Sequence, residues 1–98
     1  MGIVSFADAG TEAIFDGDDT RKARRTCPQT LWKVARRELD QLDAVTKLGD
    51  LGFPPNNCLE ALRGDRRGQH SIRINDQYRI CFLWTDQGPA DVEITDYH

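Results

Sequence analysis

The apolar period of this chain changes once, and that change restricts the fold more than any other feature of the sequence. Leu31, Val34, Ala35, Leu39, Leu42 and Val45 recur at steps of three and four. They form one face of an amphipathic helix, expected to run about five turns from Pro28 at its first position. Leu51-Gly52-Phe53-Pro54-Pro55-Asn56-Asn57 cannot continue that helix and reads as a loop. Beyond it the period is two. Leu59 and Ala61 alternate with Glu60 and Leu62, and Ile72 and Ile74 with Ser71 and Arg73. Tyr78, Ile80, Phe82 and Trp84 alternate with Arg79, Cys81 and Leu83, and Val92 and Ile94 with Glu93 and Thr95. Turns fall at Gly64–Gly68, Asn75–Gln77 and Asp86–Pro89, so consecutive strands are joined tightly and an antiparallel meander is expected. Upstream, Ile3–Phe6 suits a short strand and Asp8–Phe15 a short helix broken at Gly17. The basic stretch at 21–25 suits a turn or a further short helix. The fold class is α+β, helices covering one face of a sheet.

Ninety-eight residues make one domain, 1–98, with a single modest core. No run is long and apolar enough to span a membrane, and the first residues do not resemble a secretory signal. Cys27, Cys58 and Cys81 form no C-x-x-C pair and read as free thiols in a reducing cytoplasm. Metal is not expected, because these cysteines and two histidines do not make a zinc spacing; no cofactor is expected either.

The net charge of −3 does not suggest a nucleic-acid binder, but the charges are segregated. Residues 1–19 hold five acids and no base, and 21–37 hold seven bases and no acid. Residues 63–79 carry five arginines against two aspartates. A polyanion can meet a local basic surface on an acidic protein, although helix arginines are also ordinary solvated surface.

The hairpin around Asn75-Asp76-Gln77 has a chemical consequence. A three-residue loop pairs Ile74 with Tyr78, Arg73 with Arg79 and Ile72 with Ile80. The apolar residues then share one face, and two arginines oppose each other on the other. A two-residue loop would separate the arginines but set Ile72 against Arg79 and spoil the core face. Like charges across a ladder repel. Either Glu60 or Glu93 on a neighbouring strand neutralises the pair, or an anion binds there; an arginine fork suits phosphate.

The second half of the chain resembles the HigB branch of the RelE/ParE toxins. The likeness rests on Asp50-Leu51, Leu59-Glu60-Ala61-Leu62-Arg63-Gly64-Asp65-Arg66 with Gly68, Ser71-Ile72-Arg73-Ile74-Asn75, Tyr78-Arg79-Ile80 and Glu93-Ile94-Thr95-Asp96-Tyr97-His98. Leu39, Leu42-Asp43-Ala44 and Thr46 extend it into the long helix. This resemblance implies a RelE-like fold, with an N-terminal strand and two helices packed on a curved, mainly antiparallel sheet. It implies a toxin of a type II toxin–antitoxin system that cuts mRNA in the ribosomal A site without a metal. There the 2′-hydroxyl attacks the adjacent phosphate and leaves a cyclic phosphate.

The implied catalytic set is His98, Glu60, Arg79, Asp96 and Tyr97, with Arg63, Arg73 and Arg66 on the substrate. Arg79 and Arg63 would face the phosphate and Tyr97 would stack on or orient a nucleotide. Asp96 would support His98 or the substrate, Glu60 would be base or orienting group, and His98 the acid. Some relatives have histidine where Glu60 stands, and a basic residue is common where Cys58 stands. The implied partners are a HigA-like helix-turn-helix antitoxin, the ribosome and mRNA, with operator DNA reached only through the antitoxin and no membrane. ParE-type relatives share the fold without the catalytic set, so a non-catalytic binding module, or a degenerate toxin kept as a corepressor, is the alternative.

Overall fold

A computed structural model describes residues 2–96. Helices α1 (Ala9–Asp16), α2 (Arg21–Thr26) and α3 (Trp32–Ala44) precede strands β1 (Glu60–Ala61), β2 (Gln69–Arg73), β3 (Tyr78–Thr85) and β4 (Gly88–Asp96). The strands pair in the order β1-β2-β3-β4, every pair antiparallel, as the tight turns require. The expected N-terminal strand is an extended segment with one parallel bridge, Phe6 to Val92, on the outer edge of β4. Val4 N donates to Pro89 O at 2.7 Å and Ala7 N to Val92 O at 2.9 Å. This gives the α+β, RelE-like arrangement expected from the sequence.

Helices α1 and α2 begin where side chains cap them. Asp8 accepts from Thr11 N at 2.6 Å and opens α1, and Gly17 closes it at φ 81°, a left-handed position that favours glycine. Thr20 accepts from Ala23 N at 3.0 Å and opens α2. Helices α1 and α2 cross closely because residue 10 is glycine; a Cβ there would lie 2.7 Å from Lys22 O. The resulting count is three helices rather than two.

The long helix is shorter than its apolar pattern. Pro28 is extended at ψ 142° and leads into a separate 3-10 turn, Gln29–Leu31, so α3 starts only at Trp32. Trp32 belongs to the core, its Nε1 donating to Cys27 O at 3.0 Å.

Ile14, Ala35, Leu39 and Leu42 from the helices meet Ile72, Ile80, Phe82 and Val92 from the sheet, all fully buried. Thr11 fastens α1 to this layer. It is buried, and its hydroxyl accepts from Ile94 N at 3.0 Å and lies 3.2 Å from Asp8 Oδ2. After α3, Asn57 holds the proline loop by donating to Leu51 O and to Gln41 Oε1, each at 3.0 Å.

Two features depart from the expected alternation. In β1 the buried residue is Leu62, just past the strand, while Ala61 is exposed. Leu62 N donates to Gln69 O at 2.9 Å, which sets Leu62 on the same side as Glu60, and so away from the helices. On this two-residue strand at the edge of the sheet the helix-side Ala61 gains no cover. The second departure is Glu38 of α3, which is 4% exposed with Oε1 unpartnered.

Burial pushes the Glu38 carboxyl up to about 7, against the pull of Arg37 and Arg73. A folded-state value above the ordinary 4.5 means the fold binds this proton more tightly than the unfolded chain does. Glu38 therefore lowers stability as pH rises from about 4.5 to about 7, with no further loss above that window. Glu38→Gln removes the ionisation. In urea titrations it is expected to gain about 3 kcal/mol over the parent above about pH 7 and almost nothing below about pH 4.5. An advantage of equal size at both pH values would contradict this account.

Candidate active site

The sheet has an apolar side under the helices and a polar side away from them, and the register decides which residues share the polar side. Glu60 pairs with Ser71, Ser71 with Cys81 and Cys81 with Glu93, so these four form one row across all four strands. Arg73, Arg79 and Thr95 form the next row. The three-residue hairpin is realised as the apolar pattern demands. Ile72 faces Ile80 and Arg73 faces Arg79, with Asn75 Oδ1 accepting from Gln77 N at 2.9 Å and Tyr78 N at 2.7 Å to close the turn.

The like-charged rung is relieved by tethers that draw its members apart. Arg73 is ion-paired with Asp76 in the hairpin turn. Arg79 Nη1 donates to Ser71 Oγ at 3.3 Å, towards β1. Neither expected neutraliser forms an ion pair with these arginines. Glu93 instead receives Arg66 Nη1 at 3.0 Å, and the same nitrogen reaches Gln69 Oε1 at 3.0 Å. Glu60 is exposed and has no ion pair among the described residues.

Ser71 and Cys81 form the floor of this face and are fully buried. Burial pushes the Cys81 thiol up. A hydrogen bond with Thr95 and the charges of Arg66 and Arg79 pull it down, while Glu93 pushes it further up. The resulting thiol is not a ready nucleophile. Thr95 Oγ1 is buried and, among the described residues, has no hydrogen-bond partner beyond that weak thiol contact. Beside β1 a cleft of about 400 Å³ is lined, among the described residues, by Glu60, Ala61, Leu62 and Arg63. Arg63 is exposed and has no ion pair among those residues.

The residues singled out from the sequence therefore divide. Glu60, Arg73 and Arg79 share one sheet face, Arg63 lies beside it, and Arg66 is held there by Glu93. Asp96 pairs with Tyr78 and so shares the parity of Ile94, on the other side of β4 from Thr95; it accepts from Gln77 Nε2 at 3.0 Å. Tyr97 and His98 lie outside the described residues. Sequence reasoning passed over Ser71, Cys81 and Thr95. The hairpin register that exposed the arginine pair already set Ser71 opposite Cys81, so part of this floor was legible.

Residues 4–98 match the HigB-like toxins, described as the RelE-like toxin HigB of type II toxin–antitoxin systems. The chain belongs to this family. Toxin HigB-1 of Vibrio cholerae is 37% identical over 83 residues, spanning 85% of this chain and 84% of that protein. An uncharacterized protein of Haemophilus influenzae is 42% identical over 57 residues, 58% of this chain and 56% of its own length. The HigB-like family has mRNA cleavage as its known role, and as a type II toxin this chain has a cognate antitoxin. No helix among the described residues is long and apolar enough to cross a membrane.

The geometry makes Arg79 separable from the fold of this HigB-like chain. Among the described residues, truncating it loses the hydrogen bond to Ser71 and removes one like-charge contact, two effects of opposite sign. Arg79→Ala is expected to unfold within about 1 kcal/mol of the parent. Loss of the folded state in urea titration would instead make Arg79 a structural residue.

Proposed function

We propose that this HigB-like toxin is a ribosome-dependent mRNA endonuclease whose cleavage chemistry is carried by side chains of the polar sheet face, without a metal. The observation that supports this most is the shared face: Glu60, a carboxylate without an ion pair among the described residues, lies one strand from Ser71 and two from Arg79, which donates to Ser71. Cleavage by the 2′-hydroxyl requires a base for its proton, cations around the pentacoordinate phosphorus and an acid for the departing oxygen. Glu60 takes the 2′-hydroxyl proton or orients that group. Arg79 and Arg63 face the non-bridging oxygens. His98 protonates the 5′-oxygen as its bond to phosphorus breaks. The new bond from the 2′-oxygen closes a 2′,3′-cyclic phosphate, and the downstream fragment leaves with a 5′-hydroxyl.

Tyr97 stacks on a nucleotide next to the scissile bond, since in-line attack needs the bases held apart. Asp96 supports His98 or the substrate. Arg73 and Arg66 are engaged by Asp76 and Glu93, so their share in substrate binding is smaller than that of Arg79 and Arg63. The ribosome supplies the mRNA, and its presence places the activity in the cytoplasm. The antitoxin is of the HigA-like helix-turn-helix type, and operator DNA is contacted through it.

Mapping the ends of ribosome-bound mRNA after incubation with the toxin tests this reading. Upstream fragments ending in cyclic phosphate and downstream fragments beginning with a 5′-hydroxyl are expected. His98→Ala is expected to slow cleavage by about a hundredfold or more. Fragments with 5′-phosphates would contradict the side-chain mechanism. Growth arrest without any mRNA cleavage would favour a non-catalytic, ParE-like module.

A further inference from the structure

We propose that the ion pair of Arg66 with Glu93 is a positioning device: it fastens the turn after β1 across the sheet and so fixes Arg63 where the scissile phosphate binds. This rests on the reading of the polar face as the site of mRNA cleavage, with Arg63 among the residues that face the phosphate.

Arg63 opens an exposed turn, residues 63–68, in which Arg66 is the half-buried member. Leu62 N donates to Gln69 O at 2.9 Å and holds the base of that turn; Arg63 stands beyond it. Arg66 is tied to Arg63 directly, its N donating to Arg63 O at 3.3 Å. Its guanidinium leaves the turn altogether. Nη1 donates to Gln69 Oε1 on β2 and to Glu93 Oε1 on β4, each at 3.0 Å. The other ion pairs among the described residues, Arg24 with Asp19 and Arg73 with Asp76, join near neighbours in the chain. The pair of Arg66 and Glu93 joins the turn after the first strand to the last strand of the sheet.

A cation stabilises a developing phosphorane best when it is held in place before the reaction starts. Strand β1 is two residues long and lies at the edge of the sheet, so its ladder restrains the turn beyond it weakly. A second anchor has to come from a side chain long enough to reach over β2 and β3. Arginine has that length, and its several N–H donors can meet a carboxylate and an amide oxygen together. Both members of the pair are about a third exposed, so water screens it and it adds little to global stability. Its effect on cleavage is larger, because a small displacement of a group at the reacting centre costs rate steeply. Neither Arg66 nor Glu93 touches RNA or a reacting atom in this role; both act through Arg63.

The test is a double-mutant cycle read as the single-turnover cleavage rate on mRNA-programmed ribosomes at saturating toxin, with urea midpoints and amide hydrogen exchange measured in parallel. Arg63→Ala is expected to slow cleavage by about a hundredfold. Glu93→Gln keeps the shape and removes the charge. It is expected to slow cleavage by roughly tenfold with its urea midpoint nearly unchanged. In the Arg63→Ala background Glu93→Gln should add nothing, because the residue it positions is gone. In the Glu93→Gln background Arg66→Gln should add little, since the pair is already broken. Exchange of the Arg66 and Arg67 amides, which are bonded within the turn, should quicken in Glu93→Gln while that of β3 holds. A loss from Glu93→Gln that is the same with and without Arg63, no loss at all, or unchanged exchange in the turn would overturn the positioning role and leave the reading of the face intact. A comparable further loss on adding Arg66→Gln would put Arg66 on the RNA itself and overturn it too. Parental cleavage by Arg63→Ala would take Arg63 off the phosphate, and the positioning role falls with that part of the reading. Should Glu93→Gln not fold, Arg66→Gln breaks the pair from the other end and is read in the same cycle with Arg63→Ala, with the same outcomes deciding.

Discussion

Burying Ile72 against Ile80 obliges Arg73 to face Arg79, and much of the polar face is arranged around that rung. A strand pair has two sides, so the register that completes the core also fixes what stands on the other surface. Here it sets two guanidinium groups across a ladder, an arrangement that repels in water. The protein pulls Arg73 into the turn through Asp76 and hydrogen-bonds Arg79 to the Ser71 hydroxyl, while Glu93 is held by Arg66 and Glu60 has no ion pair among the described residues.

The helical layer makes that register hard to change. Thr11 reaches from α1 to the backbone of Ile94, and the N-terminal segment hydrogen-bonds along β4 from Pro89 to Val92. Slipping β3 against either neighbour by one residue would turn Ile80 and Phe82 outwards and break the contacts these anchors hold in place. The geometry of the polar face is thus set by apolar packing on the far side of the sheet. Active groups on paired strands are held more tightly than they would be on loops. Arg63, Arg66 and the cleft beside β1 lie where the sheet gives way to turns.

Most of this was readable from residue order. The meander follows from alternation and turn residues, and the arginine rung from choosing the loop length that keeps Ile72, Ile74, Tyr78 and Ile80 on one side. Helix α3 is shorter than the apolar pattern because Leu31 continues the spacing while Pro28 is extended and delays the helix to Trp32. The alternation fails in β1 because the helix-side Ala61 lies exposed on a two-residue edge strand. The partners of the charges were the least legible part. Glu93 was a candidate for the rung and binds Arg66 instead, since long side chains on a sheet face choose among several neighbours at similar distance. Glu38 carries no signal at all: an acid at a core position of an amphipathic helix looks like a surface residue until the sheet is packed against it.

The central claim is that the polar sheet face, with Arg79 as its cation, receives the scissile phosphate. The most direct measurement is a cryo-EM structure of the toxin on a ribosome whose mRNA carries a 2′-deoxynucleotide at the cleaved position, which blocks attack and preserves the bound state. The account predicts the scissile phosphate within hydrogen-bonding distance of Arg79, with Glu60 on the side of the missing 2′-hydroxyl. RNA bound along the basic helix α2, or across the sheet face with its phosphates away from Arg79, would contradict it.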